Sequence, residues 1–231
     1  MKTETESLKE VLAQRSPFAA LNKTEQIEFA QNAIPGRYKK GEICAYQGDV
    51  WPYLLLVGQG KVDIVKESPE GRSLIVQTLE TGDVFWGLAF FQDNIPMPVT
   101  LQASQISHLY LWDRAIAQPI LLRNSHALWG LCQLMVVRME RANEIVEDLA
   151  FSPVTGRLAG LILNHYGDAM GDYTKRNMTL DEMAARIGST REMVCRLLYR
   201  FSDEGVVRIN RTEFMISDRE KLEGFARKVK G

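Results

Sequence analysis

Cysteine is scarce in this chain. The three that occur among 231 residues, Cys44, Cys132 and Cys195, stand far apart. Their number and spacing exclude a disulfide framework and a CxxC metal site, and a reducing, cytoplasmic setting is the expectation. Long hydrophobic runs are also missing: none approaches the roughly 18 residues of a membrane-spanning helix. The opening MKTETESLKEVLAQ carries acidic residues and no apolar stretch, so it does not read as a signal peptide. A dominant charge is absent too, since the formal net charge is −1. Finally, there is no GxSxG, HExxH, P-loop or dinucleotide fingerprint. GQGKVD (Gly58–Asp63) looks superficially like a phosphate loop but lacks the spacing. No enzyme activity is expected.

What is present is ordinary globular composition, with 45% hydrophobic and 25% charged residues. Charge is unevenly placed. Residues 1–152 hold 14 basic and 18 acidic side chains, and residues 153–231 hold 14 and 11. A slightly acidic half therefore precedes a slightly basic one, as fits a nucleic-acid-binding second half.

The texture changes along the chain. LKEVLAQ and the segment Thr24–Ala33 are short helical patterns, the second with Asn22 and Thr24 as candidate caps. From Gly36 to about Trp112, β-rich runs alternate with glycines at 36, 41, 48, 58, 60, 71, 82 and 87. Turns spaced near ten residues predict a small antiparallel barrel or jelly roll. Pro69 and Gly71 mark a hairpin loop within Lys66–Leu74. After Pro119 a helix is expected from Asn124 or Ser125 to Phe151. Its stripe is Leu128, Leu131, Cys132, Met135, Met139, Ala142, Ile145, Val146 and Leu149. A stripe sustained that long suggests pairing with a twin helix in a homodimer; the alternative is a helix lying on the barrel. The dimer face would comprise Leu128, Cys132, Met135, Met139, Ala142, Val146 and Leu149. Pro153 breaks the pattern, Val154–Tyr166 is a further helix, and Gly167–Asn177 reads as loop.

Thr179–Phe201, TLDEMAARIGSTREMVCRLLYRF, is the most informative stretch. Leu180, Met183, Ala184 and Ile187 form one helical stripe. Gly188 turns the chain, and Ser189–Thr190 can cap a second helix. That helix presents Arg191, Glu192, Cys195, Arg196 and Arg200 on one side, with Met193, Val194, Leu197, Leu198 and Phe201 as its apolar positions. This is the pattern of a helix-turn-helix, although two such helices also serve as core packing in all-α proteins. VVRINRTEFMIS then reads as a β wing turning near Asn210–Thr212, and Asp218–Val229 as a last helix. A wing behind the two helices favours DNA.

The order of barrel, long helix and winged helix-turn-helix resembles the CRP/FNR family of bacterial transcription regulators. Three sets of motifs carry the resemblance: DLAFSPVTGRLAGLILN (Asp148–Asn164), IGSTREMVCRLLYRFSDEGVV (Ile187–Val207), and the barrel runs GEICAYQGD, VGQGKVDIV and LETGDVFWG. It implies an α+β chain with a cyclic-nucleotide-binding-like β-roll and N-terminal helices (1–122), a dimerisation helix (123–152) and a winged helix-turn-helix (153–231). It also implies a homodimer that binds double-stranded DNA and RNA polymerase. Arg191, Glu192 and Arg196 occupy the positions with which CRP-like members read TGTGA-type half-sites, through guanine O6/N7 and cytosine N4. Thr190, Arg200, Arg208 and Arg211 are candidate phosphate contacts. Hinge motion is expected near Phe151–Pro153.

The effector cassette departs from the family pattern. Trp86–Gly87–Leu88 replaces the usual Gly-Glu, Met97–Pro98–Val99 lacks the usual Arg and hydroxyl, and Ala142–Asn143 replaces a Thr-Ser pair. No Arg or Lys lies between Phe85 and Ala103. A cyclic phosphate buried without a cation is costly, so cAMP and cGMP are not expected. An apolar set including Phe85, Trp86, Leu88 and Met97, with Met135 and Met139 from the long helix, would line the pocket. A haem-dependent sensor of nitric oxide or carbon monoxide stays open, with His108, His126, Cys44 and Cys132 as available ligands. No cysteine precedes Cys44, which excludes the family's iron–sulfur cluster. Cys195 on the recognition helix is a redox candidate, but small buried packing is the simpler role. A regulatory module that does not bind DNA is the competing function.

Overall fold

The computed structural model describes residues 8, 11–12, 17–167, 171–210 and 212–227. They form two compact units. One comprises residues up to 67 together with 76–141. The other comprises 68–75 together with 142–231.

In the first unit, helix α1 (Lys23–Gln31) starts at a capping box: the Asn22 side chain accepts from Glu25 N–H, and the Glu25 carboxylate accepts from Asn22 N–H. Eight strands follow: β1 (Ile34–Tyr38), β2 (Ile43–Ala45), β3 (Tyr53–Gln59), β4 (Lys61–Glu67), β5 (Ser73–Glu80), β6 (Val84–Trp86), β7 (Thr100–Ala103) and β8 (Ser107–Asp113). They make two four-stranded sheets ordered β1-β8-β3-β6 and β2-β7-β4-β5, the jelly-roll arrangement expected from the turn spacing. The first sheet and the N-terminal helices enclose one core, in which Phe29 stacks on Trp112 at 4.4 Å between ring centres. Trp112 is fully buried, and its indole N–H donates to the Phe29 carbonyl at 2.7 Å, so its one polar atom is satisfied. A second core, including Trp51, Leu55, Phe85, Met97 and Leu101, fills the roll interior. Of the LKEVLAQ segment, Leu8, Val11 and Leu12 are described and helical; the rest lies outside the described residues.

The sequence pattern runs from the last strand directly to the long helix, but the structure inserts α2 (Arg114–Leu122), with Pro119 inside it. Proline removes a helix hydrogen bond and normally interrupts a helix. Here the Asp113 side chain caps Ala115 N–H at 2.8 Å, and Ala117, Ile120 and Leu121 are buried, so tertiary burial outweighs that cost. Helix α3 (Ser125–Phe151) runs uninterrupted for 27 residues.

The second unit contains the end of α3, then α4 (Val154–Tyr166), β9 (Thr174–Lys175), α5 (Leu180–Arg186), α6 (Arg191–Asp203), β10 (Val207–Ile209), β11 (Glu213–Ile216) and α7 (Arg219–Arg227). Val229 of the expected last helix lies outside the described residues. Leu158, Ile162, Met183, Val194, Leu197, Phe201, Phe214 and Leu222 form a single core. The segment read as loop contains β9, which pairs Thr174 and Lys175 with Phe214 and Glu213, making a three-stranded sheet β10-β11-β9. Two residues are too few for a period to show in sequence. Gly188 turns the chain at φ +59°, a conformation glycine adopts without penalty.

Candidate DNA interface and effector wall

Thr190 caps α6: its hydroxyl oxygen accepts from Met193 N–H at 3.3 Å. Val194, Leu197, Leu198 and Phe201 are buried, which fixes the rotation of the helix. Arg191, Glu192 and Arg196 consequently lie exposed on its other side, beside Thr190 and Arg200. The Glu192 carboxylate is held below the usual range, first by its own N–H and then by the Thr190 hydroxyl, so it stays an ionised acceptor. Arg200 is engaged locally: Nε donates to Glu204 at 2.8 Å, and the guanidinium lies 5.6 Å from the Phe225 ring centre. Arg208 is exposed on β10, whereas Arg211 lies outside the described residues. Cys195 is half-buried and lines a groove of about 320 Å³ with Arg176, Tyr199 and Asn210.

Two features were not read from the sequence. Arg191 Nη1 pairs with Asp181 Oδ2 at 3.0 Å, across the turn between α5 and α6. Lys175, Arg176 and Arg191 line one open cleft of about 420 Å³ with Thr179 and Thr212. Arg176 N–H donates to the Thr212 carbonyl at 2.8 Å, which fixes this strand beside the wing. The sequence signal for the basic pair was KR inside an apparent loop.

At the foot of α3, Arg157 binds three carbonyls. Nε donates to Ile187 at 2.8 Å, and Nη1 donates to Asp148 at 3.2 Å and to Ser152. Desolvation, opposed by Asp148, lowers its pKa.

Helix α3 has two faces. Ala127, Gly130 and Leu131 are buried, and Leu134 packs on the core that the first sheet shares with the N-terminal helices. Leu128 is half-buried and also packs there. Cys132, Met135, Met139, Ala142, Val146 and Leu149 are exposed. The effector-pocket positions are dispersed. Phe85 and Met97 belong to the roll interior, and Trp86 belongs to the neighbouring core. Leu88, Met135 and Met139 are exposed. Sequence reading missed Arg138, which continues the Ala127–Leu131–Leu134 spacing. Its guanidinium sits 4.3 Å from the Trp86 ring centre and 5.2 Å from that of Phe85, and it donates to the Val84 carbonyl.

The donor set does not fit a haem seated on this wall. Cys44, on β2, packs against the roll-interior core, where burial first, and then Glu42, pushes its thiol up to about 12. His126 and Cys132 are exposed on α3, and His108 sits on β8 opposite Arg37 and Gln59.

Two family models match this chain: the cyclic nucleotide-binding domain over residues 35–124 and the Crp-like helix-turn-helix domain over 156–225. The cAMP-activated global transcriptional regulator Vfr of Pseudomonas aeruginosa is 30% identical over 186 residues, 75% of this chain and 84% of the relative. The CRP-like cAMP-activated global transcriptional regulator of Mycobacterium tuberculosis is 26% identical over 225 residues, 94% and 99% of the two chains. Among solved structures, a CRP/FNR-family transcriptional regulator from Eubacterium rectale superposes with a TM-score of 0.79 at 24% identity, covering 92% of this chain and 98% of its own. Among the described residues no helix is long and apolar enough to cross a membrane. A β-roll, a long helix and a winged helix-turn-helix, matched in that order by models and relatives, make this chain a DNA-binding transcription regulator of the CRP/FNR family.

Proposed function

We propose that the chain works as a homodimer, that it reads an inverted repeat with TGTGA-like half-sites, and that it answers to an effector other than cAMP. The observation that carries the DNA reading is the exposure of Arg191, Glu192 and Arg196 on one side of α6, opposite a buried apolar face. Arginine presents a rigid fork to guanine O6 and N7, and glutamate accepts from cytosine N4. Thr190, Arg200 and Arg208, with Lys175 and Arg176, would contact the backbone phosphates.

The outward side of α3 supports the dimer. Met135, Met139, Val146 and Leu149 leave a row of exposed apolar side chains, which a twin helix would cover. Two recognition helices related by a two-fold axis would then enter successive major grooves about one turn apart. Effector binding beside α3 would shift its packing, and the junction Phe151–Pro153 would re-aim the helices. RNA polymerase is the further partner this reading entails.

Relatives named as cAMP-activated do not settle the effector here, because Leu88 stands where the family's ribose-binding Glu is expected and Met97–Pro98–Val99 supplies no cation. A gel shift on a palindromic duplex with two TGTGA half-sites tests the DNA reading. Specific retention, lost when the half-site guanines are changed, is expected; equal affinity for a scrambled duplex would refute it.

A further inference from the structure

Asp181 and Arg191 stand on the two helices of the helix-turn-helix, and each is aimed by its own helix. Thr179 caps α5, its hydroxyl accepting from Glu182 N–H at 3.1 Å, and Met183 and Ala184 are buried, which leaves Asp181 outside. On α6, burial of Val194 and Leu197 leaves Arg191 outside in the same way. The two side chains meet at 3.0 Å, Nη1 donating to Oδ2, while 60% and 68% exposed. Among the described residues the guanidinium has no other acceptor. An exposed pair of this kind adds little to stability. What it fixes is the direction in which Arg191 points.

Direction matters because Arg191 stands between two competing targets. It lines the open cleft with Lys175 and Arg176, a basic setting suited to a DNA phosphate, and it begins the exposed side of α6 that carries Glu192 and Arg196. A guanidinium forks onto a phosphate as well as onto guanine O6 and N7. Among the described residues that line the cleft, Asp181 is the only acidic one. Its carboxylate engages Nη1 and leaves the Nε and Nη2 N–H groups of the opposite edge for a two-bond contact. The adjacent Glu182 does not share this task, because it is half-buried and pairs with Arg186 at 3.6 Å.

We propose that Asp181 is a positioning residue for base reading: it keeps Arg191 off the phosphates and so commits that side chain to guanine. The inference rests on the reading that Arg191 contacts a half-site guanine, and adds the residue that holds it to that task. A carboxylate beside the backbone lowers affinity for every sequence, because it repels phosphate. It raises discrimination as well, because a non-specific complex is denied a phosphate contact that the specific complex does not use.

The test uses the full chain and fluorescence anisotropy over a range of salt. The probes are the palindromic duplex with two TGTGA half-sites, the same duplex with each half-site guanine replaced in turn, and a scrambled duplex. Asp181→Asn should tighten binding to the scrambled duplex and lower the preference for one guanine at least about threefold. On the scrambled duplex its salt slope should steepen by about one, as Arg191 takes up a phosphate. Asp181→Glu should retain part of the preference. In an Arg191→Ala background, Asp181→Asn should leave base preference unchanged. Thermal melting confirms that each variant is folded. Equal tightening on cognate and scrambled duplexes would reduce Asp181 to simple repulsion and overturn the proposal, as would an equal loss on both or the same change of preference without Arg191. A wild-type chain that binds cognate and scrambled duplexes alike overturns the DNA reading and this inference with it. A discriminating wild type whose guanine preference survives Asp181→Asn overturns this inference alone.

Discussion

Arg157 and Ile187 are joined by a 2.8 Å hydrogen bond from the guanidinium Nε to the last carbonyl before the helix-turn-helix bend. The same side chain binds the Asp148 and Ser152 carbonyls, so one arginine links the foot of α3, the break after it and the α5–α6 turn. Replacing Arg157 with Ala should cost about 1–3 kcal/mol, since charge-assisted bonds to partly buried carbonyls are lost together. Urea unfolding of the full chain measures it; a loss within error would show that water replaces the guanidinium freely.

Arg191→Ala should cost about 1–3 kcal/mol on the cognate duplex and relax preference at one base pair. Asp181→Asn should do less, because it leaves the fork intact while removing the ion pair that orients it before binding. Competition gel shifts across single-base variants separate the cases: a uniform loss over all sequences would mark Arg191 as a phosphate contact.

Gly188→Ala should destabilise the chain by about 1–2 kcal/mol, the usual cost of a left-handed conformation for an L-residue. The new methyl would also fall 2.7 Å from Leu149 Cδ2, which must move. Denaturant midpoints read the change, and an unaltered midpoint would show that the turn relaxes to another conformation.

Val146 is 64% exposed on the apolar row of α3. Val146→Glu should weaken self-association at least about tenfold, equal to about 1.4 kcal/mol. Sedimentation velocity follows the shift to monomer. Binding to the inverted repeat should fall further than binding to a single half-site.

Cys195 should alkylate well before Cys44 in the native chain at mildly alkaline pH, because the Cys44 thiol is held up to about 12. The sign for stability follows. The folded thiol stays protonated where the unfolded one ionises, so its contribution is complete below the ordinary thiol range and is lost as pH rises towards about 12. Mass spectrometry of iodoacetamide-treated protein measures the order of labelling. Equal rates would show that Cys44 is open to solvent.

Pattern alone was enough for the architecture. β-rich runs between turn glycines spaced near ten residues specified the roll, the 3.6-residue stripe specified α3, and the caps at Asn22 and Thr190 placed the starts of α1 and α6. These signals are local, so composition and spacing carry them. The reading side of α6 was legible for the same reason: Val194, Leu197, Leu198 and Phe201 must be buried, which leaves Arg191, Glu192 and Arg196 outside. What tertiary structure alone decided are relations between distant residues. Pro119 sits inside a helix because burial of Ala117, Ile120 and Leu121 outweighs a lost hydrogen bond. Two-residue β9 exists because β11 lies beside it. Asp181 meets Arg191, and Arg157 meets Ile187, because the core of the second unit brings their helices together. Arg138 reaches Trp86 from 52 positions away in sequence, a juxtaposition with no local period, visible only once α3 is packed on the roll.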